Sequence, residues 1–489
     1  MAKGRKRIVV AGAGIGGAAV AALLQHQGNQ VTLLERNSYI GGKCTSFEKD
    51  GFVSDYAFHI FSRGEKGPLG DVNRRIDGDL RWRTTHPAGR WYFSGGGWFT
   101  VPDNAFWAIP YGASAYVRGV IRPGIFNTLR KSLKNYGVMG MVDTAFKLAQ
   151  TDETFLQGID NISLQEFLYQ FTDDGPTHRF MAIFSYLATV VHYSEASAGE
   201  LLYCLITQMR AGSLSYPIGG AREIAGSYTR AFVRDGGTIR RGCKVKRILV
   251  KDGKARGVET EEGEEIPADA VVSNAGIKST MDLVGHEQLP AEYVSYVNGL
   301  KYSLAANIVR YGMDCRLPEI PRHFFQYVEK DDEGLVGCFL KDRSIPKDKS
   351  FAVIKPADWD PYLAPLGKEI LLMGVAGPST VNPENIEYND RLMDCAERQM
   401  FDFFPRIKDH IQWTQRAGIQ QTSALTGRPS GECVGLAQCV GQTGAKKPTV
   451  KTPIKDLWLV GSDAGARGIG TEQAAASALY VSYLLGDRS

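Results

Sequence analysis

The first forty residues alternate short apolar runs with glycine-rich turns, which predicts a strand, a helix and a second strand. Arg7–Ala11 is β-branched at its centre and is followed directly by glycine, as expected of a short buried strand. An alanine- and leucine-rich stretch then predicts a helix that ends near Gly28. Gln30–Leu34 is again apolar and predicts a second strand, which stops at Glu35. This order of elements predicts the beginning of an α/β domain.

The same patterns predict further elements in the middle of the chain and at its C-terminus. Turn residues between β-rich runs favour antiparallel hairpins, and small apolar residues in long stretches favour helices. The predicted elements are a helix at 221–235, hairpin strands at 244–250 and 255–260 with a return through 266, strands at 270–275 and 456–463, and a helix at 472–485.

Composition limits the classes of protein to consider. The 489 residues carry 57 Lys and Arg against 53 Asp and Glu, a net charge of +4, which argues against a dedicated nucleic-acid binder. A hydrophobic content of 43% excludes a largely disordered chain. Glycine is frequent, with 55 residues and no collagen-like period, so it must serve particular backbone sites. The length suggests two or three domains.

Cysteine usage and the N-terminus bear on the compartment. The eight cysteines are scattered, without a C-x-x-C pair or a histidine at metal-ligand spacing, so we expect no metal site and a reducing cytoplasm. A basic N-terminus followed by the apolar stretch Ile8–Leu24 is similar to a signal peptide, but the regularly spaced glycines argue against one. No other stretch approaches the ~20 apolar residues of a membrane span. We expect a protein that does not cross a bilayer.

The turn between the first strand and the first helix carries a dinucleotide-binding pattern. Gly12-Ala13-Gly14-Ile15-Gly16-Gly17 fits G-x-G-x-x-G, in which the first glycine permits a tight turn, the second lets the backbone approach a pyrophosphate, and the third lets helix and strand pack closely. The helix N-terminus offers free N–H groups to the phosphates. Glu35 follows Gly17 by 18 residues, where a carboxylate can accept both ribose hydroxyls and would repel a 2′-phosphate. The pattern predicts an adenine dinucleotide without that phosphate.

The residues after the second strand carry a resemblance to a known family. Glu35-Arg36, followed by Gly41-Gly42-Lys43, resembles the ribose- and pyrophosphate-binding segment of FAD enzymes in the amine oxidase and phytoene desaturase superfamily. The resemblance therefore implies FAD as the cofactor. The residues it implies at FAD are Gly12, Ala13, Gly14, Ile15, Gly16, Gly17, Glu35, Arg36, Gly41, Gly42, Lys43, His59, Val245, Gly461, Asp463, Gly470 and Thr471.

The resemblance returns at widely separated places. Gly51–His59 looks like the family's stretch leading to the flavin ring, with departures at Ser54 and at Ala57, where the family usually has glycine. Tyr216–Gly220 matches its Tyr-Pro-x-Gly-Gly. The resemblance implies a Rossmann-type α/β FAD-binding domain and a second, discontinuous α+β substrate domain. The segments assigned to the first are 1–90, 211–284 and 450–489, and those assigned to the second are 91–210 and 285–449.

The expected substrate domain is rich in aromatic residues and contains a basic segment. The aromatic residues suit an apolar pocket, although they also suit an ordinary core. Segment 109–150 mixes apolar residues with arginine and lysine, which fits either a surface that rests on anionic lipid or a solvated basic face. We accordingly expect a cytoplasmic protein, peripheral at the membrane if this segment contacts lipid.

The resemblance also implies a reaction. In this family FAD takes up hydride at N5 from a C–H bond, so we expect desaturation, saturation or redox-neutral isomerisation of a lipophilic, isoprenoid-like substrate. His59 and Glu472 are candidate acid or base groups because both lie in segments expected to border the flavin, and Tyr56 and Arg63 are further candidates. No second G-x-G-x-x-G is evident, which points to a quinone, O2 or a small electron carrier as the acceptor.

Two other interpretations stay open at this stage. The first is a flavin amine oxidase or a porphyrinogen-type oxidase on the same scaffold. The second is a non-catalytic prenyl-binding protein of the Rab escort or GDP-dissociation inhibitor type, against which the intact glycines, Glu35 and Gly42 argue. The sequence does not fix the oligomeric state or the direction of the reaction.

Overall fold

The computed structural model describes residues 5–102, 125–212, 214–329, 343–465 and 467–486. The helices are α1 Ile15–His26, α2 Pro68–Arg75, α3 Ile125–Gln150, α4 Glu153–Ile159, α5 Leu164–Tyr169, α6 Gly175–Thr189, α7 Ala198–Ala211, α8 Arg222–Arg234, α9 Ile277–Val284, α10 Ala291–Gly299, α11 Pro383–Phe403, α12 Ile419–Thr426 and α13 Gly470–Leu485. The strands are β1 Arg7–Ala11, β2 Gln30–Glu35, β3 Ser46–Lys49, β4 Phe52–Asp55, β5 Trp82–Thr85, β6 Gly89–Phe93, β7 Gly97–Val101, β8 Leu214–Pro217, β9 Thr238–Arg241, β10 Val245–Lys251, β11 Lys254–Thr260, β12 Glu265–Pro267, β13 Ala270–Ser273, β14 Ala305–Met313, β15 Phe324–Val328, β16 Phe351–Ile354, β17 Glu369–Gly377, β18 Ile411–Ala417 and β19 Leu457–Leu459.

A five-stranded parallel sheet contains the predicted N-terminal strands. Its order is β19-β13-β1-β2-β9, so strands from three distant parts of the chain lie side by side. Val9 of β1 is in register with Thr32 on one side and with Val271 on the other. Helix α1 packs against α8 and α13, which buries its alanines and leucines. The predicted Rossmann-type α/β fold is confirmed.

The fold contains a further sheet, which has seven strands. Its order is β18-β14-β17-β16-β15-β6-β7, and all neighbours are antiparallel except β15 and β6. The predicted domain boundary after residue 90 falls inside β6, so Gly89 and Arg90 belong to this sheet together with Trp91. The other boundaries and the division into two domains stay predictions.

Helices α3 to α7 belong to the segment expected to cover the substrate. Tyr186 of α6 packs with Ala376 of β17, which brings this helical layer against the seven-stranded sheet. Helix α3 is interrupted at Gly137, whose φ of 64° and ψ of 175° are not helical. Of the basic segment 109–150, residues 109–124 lie outside the described residues. Among the described helices, none combines the length and the apolar character needed to cross a bilayer.

Candidate active site

A cavity of about 800 Å³ is lined by residues of both sheets. At one end it is lined by the β1–α1 turn and by Glu35 at the end of β2. At the other end it is lined by residues of the seven-stranded sheet and of α6. The carboxyl ends of parallel strands are the usual place for a nucleotide in such folds, so the first end matches the predicted dinucleotide site.

The β1–α1 turn forms a cradle that only glycine fits. Gly12 has a φ of 96°, and a Cβ built on Gly17 would overlap the Gly12 carbonyl oxygen. The second glycine loop lies directly on this turn, since the Gly41 N–H donates to the Ala13 carbonyl at 2.8 Å. Gly14 and Gly42 both line the cavity, so main chain without side chains faces it from two loops.

Glu35 is buried at the mouth of this cradle and its carboxylate is oriented by the backbone. One oxygen accepts the Ala13 N–H at 2.8 Å and the other accepts the Asn37 N–H at 2.9 Å. A carboxylate offers about four lone-pair sites, so both oxygens can still accept hydroxyl groups. Glu35 lines the cavity, as a ribose-binding carboxylate must.

A network of largely buried ion pairs lies beside the glycine cradle at the cavity wall. Lys43 donates to the Glu432 carbonyl at 2.9 Å and pairs with its carboxylate at 3.2 Å, while Arg428 lies 2.9 Å from the same carboxylate and also pairs with Asp463. Asp463 further accepts the N–H groups of Ile277 at 3.0 Å and Leu436 at 3.2 Å. The predicted site residue Asp463 therefore has protein partners on both oxygens.

The charges in this network determine the direction in which the pKa values of Asp463 and Arg428 shift. Burial acts to raise the pKa of Asp463, but the charge of Arg428 and its hydrogen bond outweigh burial and lower it. Burial acts against the Arg428 cation, yet Asp463 and Glu432 raise its pKa above the usual value. Arg428 and Glu432 were not predicted as site residues because no local motif connects them to the glycine loops.

The loop that enters α13 is tied to the helical layer by a second buried network. The guanidinium of Arg467 pairs with Asp160 at 2.7 Å and with Glu200 at 3.4 Å. Glu200 also accepts the Gly468 N–H at 2.6 Å and the Lys447 ammonium at 3.1 Å. These bonds fix the backbone just before the start of α13, where Gly470 and Thr471 line the cavity.

Glu472 is buried in the first turn of α13 and lines the cavity. The guanidinium of Arg63 approaches it with an N–O distance of 3.4 Å. Burial raises the pKa of Glu472 to about 7, and the positive charge of Arg63 limits the rise. A buried carboxyl group that titrates near neutrality at a cavity wall is a candidate acid or base.

His59 lines the cavity and is oriented by Asp55. Its Nδ1 lies 3.5 Å from Asp55 Oδ2, and its ring stacks on Phe61 with centroids 5.3 Å apart. The Asp55 carboxylate is itself held by the Tyr216 hydroxyl at 2.5 Å and the Ser46 hydroxyl at 2.7 Å. Burial acts to raise the pKa of Asp55, but His59 and these two hydroxyl groups lower it overall.

Several predicted site residues do not line the cavity. Tyr56 stacks on Tyr39 with centroids 6.0 Å apart, and its position gives no support to a catalytic role. Arg63 reaches the cavity only through Glu472. Ala13 and Gly17 are enclosed in the turn itself and shape it. The predicted cofactor residues that line the cavity are Gly12, Gly14, Ile15, Gly16, Glu35, Arg36, Gly41, Gly42, Lys43, His59, Val245, Gly461, Asp463, Gly470 and Thr471.

Elsewhere in the described part of the chain, three side chains are close enough together to hold a metal ion. Asp314, Cys315 and His410 place ligand atoms within 4.8 Å of one another, although sequence spacing gave no sign of it. His410 Nδ1 already lies 2.9 Å from the Asp314 carboxylate, and none of the three lines the cavity. The expectation of a protein without a metal site stays a prediction.

The cavity end at the seven-stranded sheet is built from small and apolar side chains. Ala306, Gly374, Ala376 and Ala352 form its floor, and α6 contributes residues such as Leu187 to the opposite wall. Because the same cavity contains the glycine cradle, Glu35 and the α13 N-terminus, its residues fit an extended flavin dinucleotide beside an apolar chamber. The fit of a dinucleotide rests on the glycine turn between β1 and α1, which has no room for a Cβ atom.

Comparison with known proteins gives a family match. The family model described as flavin containing amine oxidoreductase matches residues 15–375, well over half of the chain. A zeta-carotene-forming phytoene desaturase from Myxococcus xanthus is 27% identical over 94% of this chain and 89% of its own length. An all-trans-retinol 13,14-reductase from Macaca fascicularis is 22% identical over 93% of this chain and 82% of its own length.

A solved structure supports the fold. An oxidoreductase from Methanosarcina mazei superposes with a TM-score of 0.71 at 21% identity, covering 97% of this chain and 99% of its own. At this identity the similarity speaks for the fold alone.

Proposed function

Because this chain belongs to the flavin-containing amine oxidoreductase family, and is thus an FAD-dependent oxidoreductase, we propose that it acts on C–C or C=C bonds of a lipophilic, isoprenoid-like substrate. The names of its relatives, a phytoene desaturase and a retinol reductase, support that class of substrate. The observation that carries the proposal is the single cavity, in which the dinucleotide cradle opens into a chamber with a small-residue, apolar floor.

FAD, when bound, supplies hydride transfer at its N5 position. The chain contributes binding through the glycine cradle, Glu35 and the cations Arg36 and Lys43, all of which line the cavity. The sheet floor and α6 hold the apolar chain and exclude water, so that one carbon centre is presented in a fixed orientation. Binding and orientation are thus supplied by different elements of the fold.

Glu472 is proposed as the group that moves the proton. Desaturation removes a hydride and a proton from neighbouring carbons, and saturation adds both. With a pKa of about 7, the carboxyl group of Glu472 can take the proton in the first case and give it in the second. His59, held by Asp55, is the second candidate for this role.

The electron acceptor depends on the direction of the reaction. For net desaturation we propose that electrons leave to a quinone, O2 or a small carrier. Net saturation needs an external electron donor that reduces the flavin beforehand. In a redox-neutral isomerisation the hydride returns to the substrate, and neither a donor nor an acceptor is needed.

We also propose that α3 rests on an anionic lipid surface. After the interruption at Gly137, four large apolar side chains are exposed at helical spacing: Val138 at 64%, Met139 at 80%, Val142 at 58% and Phe146 at 60%. Arg130 and Lys134 are exposed on the preceding turns, which provides charges that complement anionic headgroups.

Vesicle sedimentation tests the lipid contact. Met139→Asp with Phe146→Asp is expected to abolish binding to anionic vesicles, whereas the exposed Leu366→Asp, on a loop outside α3, is the matched control and should leave it unchanged. Equal binding of both variants would refute the contact.

Product analysis tests the reaction itself. FAD-loaded protein is incubated with isoprenoid alkenes, primary amines and a porphyrinogen, and products are identified by mass and by chromatographic comparison with geometric isomers. The proposal expects an isoprenoid product that differs by two hydrogens or in double-bond geometry. Conversion of the amine or the porphyrinogen alone would contradict it.

A further inference from the structure

Three side chains with different ligand atoms meet where strands β14 and β18 lie side by side. Asp314 and Cys315 directly follow β14, and His410 directly precedes β18. The two strands are antiparallel neighbours with Met313 in register with Ile411, and the Asp314 N–H donates to the His410 carbonyl at 3.0 Å. The pairing of the strands therefore holds the backbone of all three residues at one place.

The ligand atoms of these residues have nearly the separations of a metal site. The Asp314 carboxylate, the Cys315 thiol and a ring nitrogen of His410 lie within 4.8 Å of one another. In the closest of these contacts His410 Nδ1 lies 2.9 Å from Asp314 Oδ1. Bonds of about 2.0–2.3 Å to a tetrahedral Zn²⁺ would place ligand atoms about 3.3–3.8 Å apart. Rotation of the side chains can make up this difference while the strands stay in place.

The ligand atoms also indicate which metal would bind. One sulfur, one nitrogen and one oxygen form a mixed set that suits Zn²⁺, whereas Ca²⁺ and Mg²⁺ take oxygen ligands. A metal-bound thiolate and a carboxylate carry two negative charges, which match the charge of a divalent cation. The chemistry of the three side chains therefore favours zinc over the hard cations.

The surroundings of the cluster leave room for a cation. Arg406 and Glu319 are the other charged residues that act on Cys315, and they pair with each other at 3.3 Å, so their charges offset each other. The side chain of Asp314 is 53% exposed and that of His410 is 28% exposed. An ion can thus enter from solvent, and a water molecule can take the fourth position around it.

A histidine beside an aspartate does not by itself indicate a metal. His286 Nε2 lies 2.9 Å from Asp282 Oδ1, and this exposed pair has no third ligand. Among the residues that the structure describes, a group of three ligand-bearing side chains is found only at Asp314, Cys315 and His410. The thiol therefore distinguishes this place from an ordinary surface pair.

We propose that Asp314, Cys315 and His410 bind Zn²⁺, with water as the fourth ligand. None of the three lines the cavity, so the ion acts by joining the end of β14 to the start of β18 and not through the flavin. Because it binds the folded chain, it stabilises the fold. The site is independent of the proposed function. Sequence spacing gave no sign of it, since β14 and β18 are distant in sequence and only the fold brings them together.

Cobalt substitution tests the site on the wild-type, FAD-loaded protein kept reduced with a phosphine. Four-coordinate Co²⁺ with a thiolate ligand gives a sulfur-to-metal charge-transfer band and intense d–d bands, and the latter lie at longer wavelengths than oxidised flavin absorbs. We expect these bands to saturate at one equivalent of Co²⁺ per chain and to disappear when Zn²⁺ is added. The weak spectrum of hydrated, six-coordinate Co²⁺ alone would overturn the inference.

Variants assign the ion to its ligands. Cys315→Ser and His410→Ala are each expected to weaken Zn²⁺ binding roughly tenfold or more in competition with a chromophoric chelator, since loss of even an outer partner of a metal ligand costs that much. Cys315→Ser should also lose the charge-transfer band of bound Co²⁺. His286→Ala is the matched control and should bind Zn²⁺ like wild type.

Thermal unfolding gives a second measurement. Zn²⁺ should raise the Tm of wild type and of His286→Ala but not that of Cys315→Ser. Unchanged affinity in Cys315→Ser, or equal weakening in His286→Ala, would overturn the assignment. The cobalt spectrum of the wild type does not depend on the stability of any variant, and a failure of the proposed reaction would leave this site untouched.

Discussion

Arg63 and Glu472 form a buried ion pair with an N–O distance of 3.4 Å at the wall of the cavity. The guanidinium partly offsets the cost of burying a carboxylate. The carboxyl group of Glu472 therefore titrates near neutrality and can exist in both the charged and the neutral form there. This relationship connects the N-terminal segment to the first turn of α13.

Replacing the carboxyl group of Glu472 by an amide should abolish the proton transfer that we propose for this residue. Glu472→Gln is expected to lower turnover about a hundredfold or more and to flatten its pH dependence around pH 7, because a general acid or base contributes on that scale. Steady-state kinetics between pH 5 and 9 on the FAD-loaded protein measure this. Glu369→Gln is the control, since burial also raises the pKa of Glu369 but this residue lies outside the cavity lining. If Glu472→Gln kept the pH profile of the wild type, another group would be responsible for the proton transfer.

The raised pKa of Glu472 also predicts how stability depends on pH. The folded protein holds this proton up to about pH 7, whereas the unfolded chain releases it near the ordinary value of 4.5. The stabilising contribution is therefore complete below pH 4.5 and is lost as the pH rises through 7, by about 3 kcal/mol. Thermal unfolding of wild type and Glu472→Gln across this range should show a smaller loss in the variant. Parallel curves would refute the raised pKa.

Glu35→Ala should release FAD. The two ribose hydroxyl groups would lose a buried acceptor, at a cost of about 1–3 kcal/mol, or roughly five- to 150-fold in affinity. Titration of the apoprotein with FAD gives the dissociation constant. Glu264→Ala removes an exposed carboxylate that pairs with Arg240 and should bind FAD like wild type. Unchanged affinity in Glu35→Ala would refute the ribose assignment.

His59→Ala tests the second acid–base candidate. We expect slower reduction of the flavin by substrate with FAD still bound. Asp55→Asn should give part of the same loss, because Asp55 lies 3.5 Å from the imidazole and orients it. Stopped-flow absorbance separates the reduction rate from FAD content. A wild-type rate in His59→Ala would make this histidine a structural residue only.

The parts of the fold that depend on local sequence were predictable. The strand–turn–helix around Gly12 and Gly17 follows from residues that are neighbours in sequence, because the turn itself demands glycine. Strand β1 also follows from local sequence, and it begins and ends at the predicted residues, Arg7 and Ala11. The C-terminal helix also begins close to its predicted start, at Gly470.

The rest of the site depends on contacts between distant segments. Arg428 meets Asp463, and Arg467 meets Glu200, only after the chain has folded, so no spacing reveals either pair. Gln326 lines the cavity, although nothing in the sequence of its strand indicates this. Tyr56 lies close to His59 in sequence but does not line the cavity, and its catalytic role stays a prediction.

Anaerobic mixing of the FAD-loaded protein with candidate substrates shows which compounds exchange electrons with the bound flavin. The visible absorbance of the bound flavin is followed while isoprenoid alkenes or amines are added, starting from both the oxidised and the chemically reduced protein. We predict that an isoprenoid polyene bleaches the oxidised flavin, reoxidises the reduced one or is isomerised without a net change of the flavin, and that amines do none of these. Redox change with amines alone, or a protein that binds no FAD, would contradict it.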